Sequence, residues 1–134
     1  MRRVLYCFAV TLFLVISVIL VQNPANSEEG KTSSDNKSAE KGEALFKEKG
    51  CTGCHTIGGG KLTGPDLAGV TERREEQWLR EWIKSPDKMV MSDPIAQGLL
   101  KEYFVPMPNQ GLTDEEVEEV IIYLKYEGSK KGSN

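Results

Sequence analysis

Apolar residues in this chain follow two patterns. From Val4 to Val21 they form one run, relieved only by Tyr6, Cys7, Thr11 and Ser17. Beyond residue 38 they are sparse and recur at helical spacing. Ala39 to Lys49 predicts a first helix, with Ser38 as N-cap and Gly50 as its stop. Gly42 and Phe46 lie one turn apart on the same face. Trp78, Leu79, Trp82 and Ile83 mark the buried face of a second helix over Glu72 to Lys84, ended by Ser85-Pro86. Ser92 or Asp93 followed by Pro94 reads as N-cap and N1 of a third helix to about Tyr103, with Ile95, Leu99 and Leu100 inward. Thr113-Asp114-Glu115-Glu116 is a capping box. It opens the strongest helix, through about Tyr126, with Gly128 at C′. Val117, Val120, Ile121 and Leu124 form its core stripe, and Glu118 and Glu119 face water. There is no run of alternating β-branched residues and no internal repeat, so the predicted fold class is all-α.

The first apolar run follows a basic head, Met1-Arg2-Arg3, and precedes a polar segment containing Pro24. That is the layout of an export signal or an uncleaved membrane anchor. Ala25-Asn26-Ser27 offers small residues for cleavage before Glu28, and a soluble product of cleavage is preferred. The run is also just long enough to span, since about 17 residues suffice. Residues 1–27 are therefore read as signal peptide or anchor, the anchor reading implying membrane association through residues 4–21. Arg2 and Arg3 keep the N-terminus inside, which puts the rest of the chain in the periplasm or on the outer face of the inner membrane. Cys7 reads as a small apolar member of the run. Residues 28–38 are polar and rich in Ser, Lys and Glu, and read as a disordered linker. Residues 39–128 make one compact domain, and 129–134 a flexible tail.

Charge narrows the partners. The chain has 17 basic and 20 acidic residues. Removing Arg2 and Arg3 takes no acid with them and leaves a net charge of about −5. Sequence-independent binding to nucleic acid is disfavoured at that sign. A domain this small is also short of apolar core unless a cofactor adds to it.

Cys51-Thr52-Gly53-Cys54-His55 supplies the candidate cofactor. C-x-x-C-H is the attachment signature of c-type haem. Each thiol can bond one vinyl group of the porphyrin, and the following histidine is then held under the iron. A structural zinc site needs four N or S ligands, usually as two separated pairs. Outside the apolar run there are only Cys51, Cys54 and His55. A redox C-x-x-C of the thioredoxin kind wants a βαβ setting that these helices and Gly/Pro loops do not provide. A simple disulfide is the remaining alternative in an exported chain.

His55 is the only histidine. A second histidine ligand from the same chain is impossible. Methionines 89, 91 and 107 are the candidates for the other axial position. Met107 is best placed, because Pro106 and Pro108 limit its backbone freedom. Met89 and Met91 read as packing, with Met91 the alternative ligand. Histidine with methionine raises the potential of a haem and suits outer-sphere electron transfer.

With Gly42 and Phe46, Cys51 to His55, Gly64-Pro65 and Val105 to Leu124 together, the chain resembles a small class I monohaem cytochrome c, across about residues 39 to 127. The resemblance implies helices wrapped around one haem c covalently attached through Cys51 and Cys54. It implies crossing of the first and last helices, with Gly42 and Phe46 against Tyr123. It also implies that the Pro65 carbonyl accepts a hydrogen bond from His55, which would orient the ring. Thr71 to Tyr103 is less standard, and resembles haem domains attached to respiratory oxidases or denitrification enzymes. Cofactor-binding residues are thus expected to be Cys51, Cys54, His55, Met107, Pro65 and Trp82, with His55 and Met107 on the metal and no catalytic residues.

Trp78 and Trp82 read as core anchors that could also give an indole N–H to a propionate. Arg73 and Arg74 read as a solvated helix start, with propionate pairing as the alternative. Lys61 could sit at a docking rim. The expected role is an electron carrier rather than an enzyme, with redox protein partners and no small-molecule substrate. The alternatives are a haem subunit or domain of a membrane respiratory or denitrification complex, and a gas- or peroxide-reactive protein if Met107 is not a ligand.

Overall fold

The computed structural model of the protein describes residues 29–131. The chain divides into two units, Met1–Thr32 and Ser33–Asn134. The expected signal or anchor and its expected cleavage site lie outside the described residues, as do residues 132–134. Among the described residues no helix is long and apolar enough to cross a membrane.

The described part is all-α. It contains helices α1 (Glu29–Glu48), α2 (Val70–Arg73), α3 (Glu76–Lys84), α4 (Pro86–Ser92), α5 (Pro94–Tyr103) and α6 (Asp114–Lys131), with a 3-10 turn at Cys51–Gly53. Helix α1 starts well before Ser38, so Ser38 is interior and not a cap, and the polar stretch expected as a linker is helical from Glu29. No proline interrupts that stretch. Once the segment after Ala39 is anchored, each added residue gains one hydrogen bond without a new nucleus.

The expected second helix is two. Arg74 is extended (φ −134°, ψ 141°) between α2 and α3. The apolar phase begins only at Trp78, so nothing upstream of it marked the break. Pro86 ends α3 and also opens α4 at its first turn, where a missing N–H costs nothing. The Met89 to Met91 stretch is therefore helical. Asp93 caps α5 by accepting from the Ala96 N–H at 2.8 Å. The inward face of α5 is centred on fully buried Ala96, with Leu99, Leu100 and Tyr103 partly covered. Ile95, expected inward, is 41% exposed.

The capping box forms as expected. The Glu116 N–H donates to Thr113 Oγ1 at 3.2 Å, and the Thr113 N–H to Glu116 Oε2 at 2.7 Å. Helix α6 then runs through Gly128 to Lys131, so Gly128 is not its stop. A helical glycine costs about 1 kcal/mol, and the Glu127–Lys130 pair at 2.6 Å lies across the same turn. Glu118 and Glu119 are half-buried rather than free in water. Glu118 pairs with Arg80 of α3, and Glu119 with Lys41 of α1 at 2.9 Å.

Val117, Val120, Ile121 and Leu124 join Phe46, Leu79 and Leu112 in one core cluster. The α1–α6 crossing is the one the resemblance implied. Phe46 meets the Tyr123 ring at 5.6 Å between centroids. A Cβ on Gly42 would stand 2.0 Å from the Glu119 carbonyl oxygen and 2.7 Å from Tyr123 Cβ. Only glycine permits that approach.

Candidate functional site

The chain leaves α1 through Gly50, which is left-handed (φ 74°), and turns at once into Cys51–Gly53. The Cys54 and His55 N–H groups both donate to the Cys51 carbonyl, at 3.1 and 2.9 Å. This tight turn sets Cys51, Cys54 and His55 along one wall of a cavity of about 810 Å³. That size suits a cofactor rather than a few waters. Both thiols are free and half-buried. Burial pushes the Cys51 thiol up from its ordinary value.

The segment after the motif folds back on it. The Gly64 N–H donates to the Cys54 carbonyl and the Leu67 N–H to the Thr56 carbonyl, each at 2.8 Å. This brings the Pro65 carbonyl to 2.9 Å from His55 Nδ1. A carbonyl can only accept, so Nδ1 carries the proton and Nε2 is left as the donor atom for a metal. Gly64 makes room for the ring, since a Cβ there would lie 2.6 Å from His55 Cε1.

Asp66 holds this loop from behind. Its carboxylate accepts from the Gly58 N–H (2.7 Å), the Ala68 N–H (2.8 Å), the Gly60 N–H and Thr56 Oγ1 (3.1 Å). The backbone donors from Ala68 and Gly58 lead in holding its carboxyl well below the usual carboxylate range. No spacing motif in the sequence marks Asp66. An acid downstream of three glycines, whose bare N–H groups need an acceptor, was the available signal.

On another wall lies Met107, half-buried in a loop between α5 and α6. Neither Met89 nor Met91 lines the cavity, and Met91 is 79% exposed. Trp78 and Trp82 also line it and stack on each other at 5.5 Å. The Trp78 N–H is committed to Asp93 Oδ1 at 3.1 Å, whereas that of Trp82 has no protein partner among the described residues. Arg73 donates to the Ala68 carbonyl and to the Asp66 carbonyl at 3.2 Å, so it ties its own loop rather than standing free. Arg74 lies 5.7 Å from the Trp78 ring centroid. Lys61 pairs with Glu102 at 3.5 Å and sits over the Tyr103 ring.

Two thiols, an imidazole oriented by its carbonyl partner and a thioether thus line one largely apolar cavity. That donor set fits a covalently tethered haem. Among the described residues no cluster of three or more His, Cys, Asp or Glu could hold another metal.

Comparisons with known proteins agree. The chain is 30% identical over 97 residues to cytochrome c oxidase subunit 2 of Alkalihalophilus pseudofirmus, covering 65% of this chain and 25% of that protein. It is 28% identical over 109 residues to the Bacillus subtilis protein of the same name, covering 71% of this chain and 28% of that one. The match thus spans about a quarter of those relatives' length. Among solved structures, cytochrome c from Rhodothermus marinus superposes with a TM-score of 0.69 at 27% identity, over 81% of this chain and 88% of that one. The cytochrome c domain of a Pseudomonas putida protein gives 0.61 at 39% identity, over 69% and 92%. The family described as Cytochrome c matches residues 39–127, so this chain belongs to the cytochrome c family, with the small all-α fold of class I and a site for electron transfer through covalently bound haem c.

Proposed function

We propose that the chain is an exported single-electron carrier whose haem is ligated by His55 and Met107 and tethered by Cys51 and Cys54. The observation that supports this most directly is that, of Met89, Met91 and Met107, only Met107 lines the cavity with Cys51, Cys54 and His55. When bound, a c-type haem supplies an iron that gains or loses one electron without breaking a bond in a substrate. Histidine with methionine on that iron favours the reduced form. The Pro65 carbonyl fixes the His55 tautomer, which keeps Nε2 available as a ligand. The apolar walls limit water in the cavity. Trp82, whose N–H has no protein partner among the described residues, is the candidate donor to a propionate. His55 is the only histidine in the chain. Once it is a ligand, no second imidazole is left for acid–base work on peroxide.

The partners proposed are redox proteins on the outer side of the membrane. Two relatives named cytochrome c oxidase subunit 2 favour a respiratory oxidase as one of them, with this chain serving as its donor or as part of the complex. The chain's net negative charge calls for positive charge on the partner's docking face, and association that weakens with salt.

The test is the visible spectrum of the ferric protein made in cells that attach haem. A weak far-red band of sulfur-to-iron ligation is expected in the wild type and absent in Met107→Ala. If haem is bound but the band is missing in the wild type, the iron is open or otherwise ligated and the carrier reading fails. Oxidation of the reduced protein by oxidase-containing membranes, slowing as salt rises, tests the partner separately.

A further inference from the structure

The segment bearing Met107 is loosely attached. Among the described residues, Val105 to Leu112 take part in no backbone–backbone hydrogen bond. Their one hydrogen bond to another element is made by Asn109, whose Nδ2 donates to Asp87 Oδ1 at 3.0 Å. Asp87 is in the first turn of α4, and both residues line the cavity. Asn109 Oδ1 meanwhile accepts from the Gly111 N–H at 2.9 Å, which shapes the loop's exit toward α6. One amide thus uses its two ends for two jobs, an inward one on the loop and an outward one on α4.

We infer that Asn109 and Asp87 form a clasp that holds Met107 on the iron, making Asn109 a positioning residue for the sixth ligand. The inference rests on the His55/Met107 reading above. A methionine thioether is a neutral ligand on a short arm, so its occupancy of the iron depends on where the loop keeps it. Without the clasp the loop has only its prolines and the Leu112 anchor. It then spends more time displaced, and an added ligand competes better. No proton is moved and no bond to carbon is made; what changes is the population of the Met-off form.

The clasp separates cleanly from the turn. Asn109→Asp keeps the oxygen that accepts from Gly111 but sets a carboxylate against Asp87. Combining it with Asp87→Asn exchanges donor and acceptor and restores a bond to a charged group. The measurement is titration of the ferric, haem-loaded protein with imidazole, followed by loss of the far-red band, alongside its thermal midpoint. Asn109→Asp is expected to bind imidazole roughly tenfold more tightly, as loss of one charge-assisted hydrogen bond implies. The double variant is expected to return to within about threefold of wild type.

Unchanged imidazole affinity in Asn109→Asp overturns the inference, and so does a lowered thermal midpoint with unchanged affinity, since the bond then serves only the fold. A double variant as loose as Asn109→Asp overturns it too. Met107→Ala distinguishes the two layers. If it binds imidazole no better than wild type, and wild type shows no far-red band, the ligand reading itself has failed and the clasp falls with it.

Discussion

The two sides of the cavity are held by different means. On the His55 side, residues 51 to 68 are stitched by backbone hydrogen bonds from Cys54, His55, Gly64 and Leu67, and again by the four donors on Asp66. On the Met107 side, Val105 to Leu112 have no such ladder and one side-chain clasp. The first side is over-determined, because losing any one bond leaves others that specify the same position. The second relies on the stiffness of Pro106 and Pro108, on Leu112 anchored in the core at its end, and on a single hydrogen bond to another element. Under the proposed ligation, His55 is then the fixed ligand and Met107 the exchangeable one, and that asymmetry puts ligand exchange on the Met107 side.

The largest test of this contrast is Gly64→Ala. Its Cβ would lie 2.6 Å from His55 Cε1 and 2.9 Å from Nδ1. The ring must turn and give up the Pro65 carbonyl, because the backbone on the other side is pinned to Cys54. A cost of about 3 kcal/mol is expected in guanidinium unfolding of the haem-loaded protein, combining overpacking with a lost hydrogen bond. A loss under about 1 kcal/mol would mean that this loop gives way easily, and the rigid-side description would not survive.

Second in size is Asp66→Ala, with an expected loss of about 2 kcal/mol, since several loop N–H groups lose their acceptor together. The effect is pH-dependent with a definite sign. Asp66 has its folded pKa depressed, chiefly by the Ala68 and Gly58 N–H groups. Its stabilisation is therefore complete above the unfolded value of about 3.9 and declines as pH falls below that toward the folded value. Wild type and variant should differ fully at pH 6 and converge as the pH drops below about 4. A gap that widens in acid would show that Asp66 is not the acceptor holding the loop.

How much of this was legible in the sequence follows the same divide. The haem motif, the capping box at Thr113 and the core stripe of α6 are local patterns with fixed spacing, and each appears where its residues said it would. The Gly42–Tyr123 crossing and the Pro65–His55 bond came through family resemblance, because neither spacing nor periodicity reports a contact across the chain. The break at Arg74 and helix α4 were missed for different reasons. Charged residues carry no phase, and Pro86 could be read only once, as an end, although it is also a beginning. The α5 face centres on Ala96 rather than Ile95, and a small residue gives little apolar signal in the sequence although it is fully buried. Asp66 and Asn109 were not recognised as site residues, since their partners are backbone groups or lie 22 residues away.

Gly111→Ala probes the looser side with a smaller expected effect. Gly111 is left-handed (φ 66°) with no atom in the way of a Cβ. The cost is conformational only, about 1 kcal/mol. Unlike Gly64→Ala, it should leave His55 untouched while raising imidazole affinity several-fold, because the bond from Gly111 to Asn109 helps set the clasp. Equal effects of the two glycine variants on imidazole binding would erase the distinction between the sides.

Smallest is the matched pair Pro108→Ala and Pro65→Ala. Each removes the same ring and is expected to cost about 0.5 kcal/mol by freeing the unfolded chain. On the His55 side the carbonyl that accepts from the ring is backbone and survives, and Gly64 and Leu67 remain pinned beside it. Pro65→Ala should therefore leave imidazole affinity where it was. On the Met107 side the ring is one of the few things restricting the loop, so Pro108→Ala should raise that affinity by about twofold at the same cost in stability. Because the two substitutions are chemically identical, a difference between them reports the surroundings and nothing else. Their failing to differ would mean that proline stiffness does not hold the methionine, and would leave the Asn109–Asp87 clasp and the Leu112 anchor to account for it.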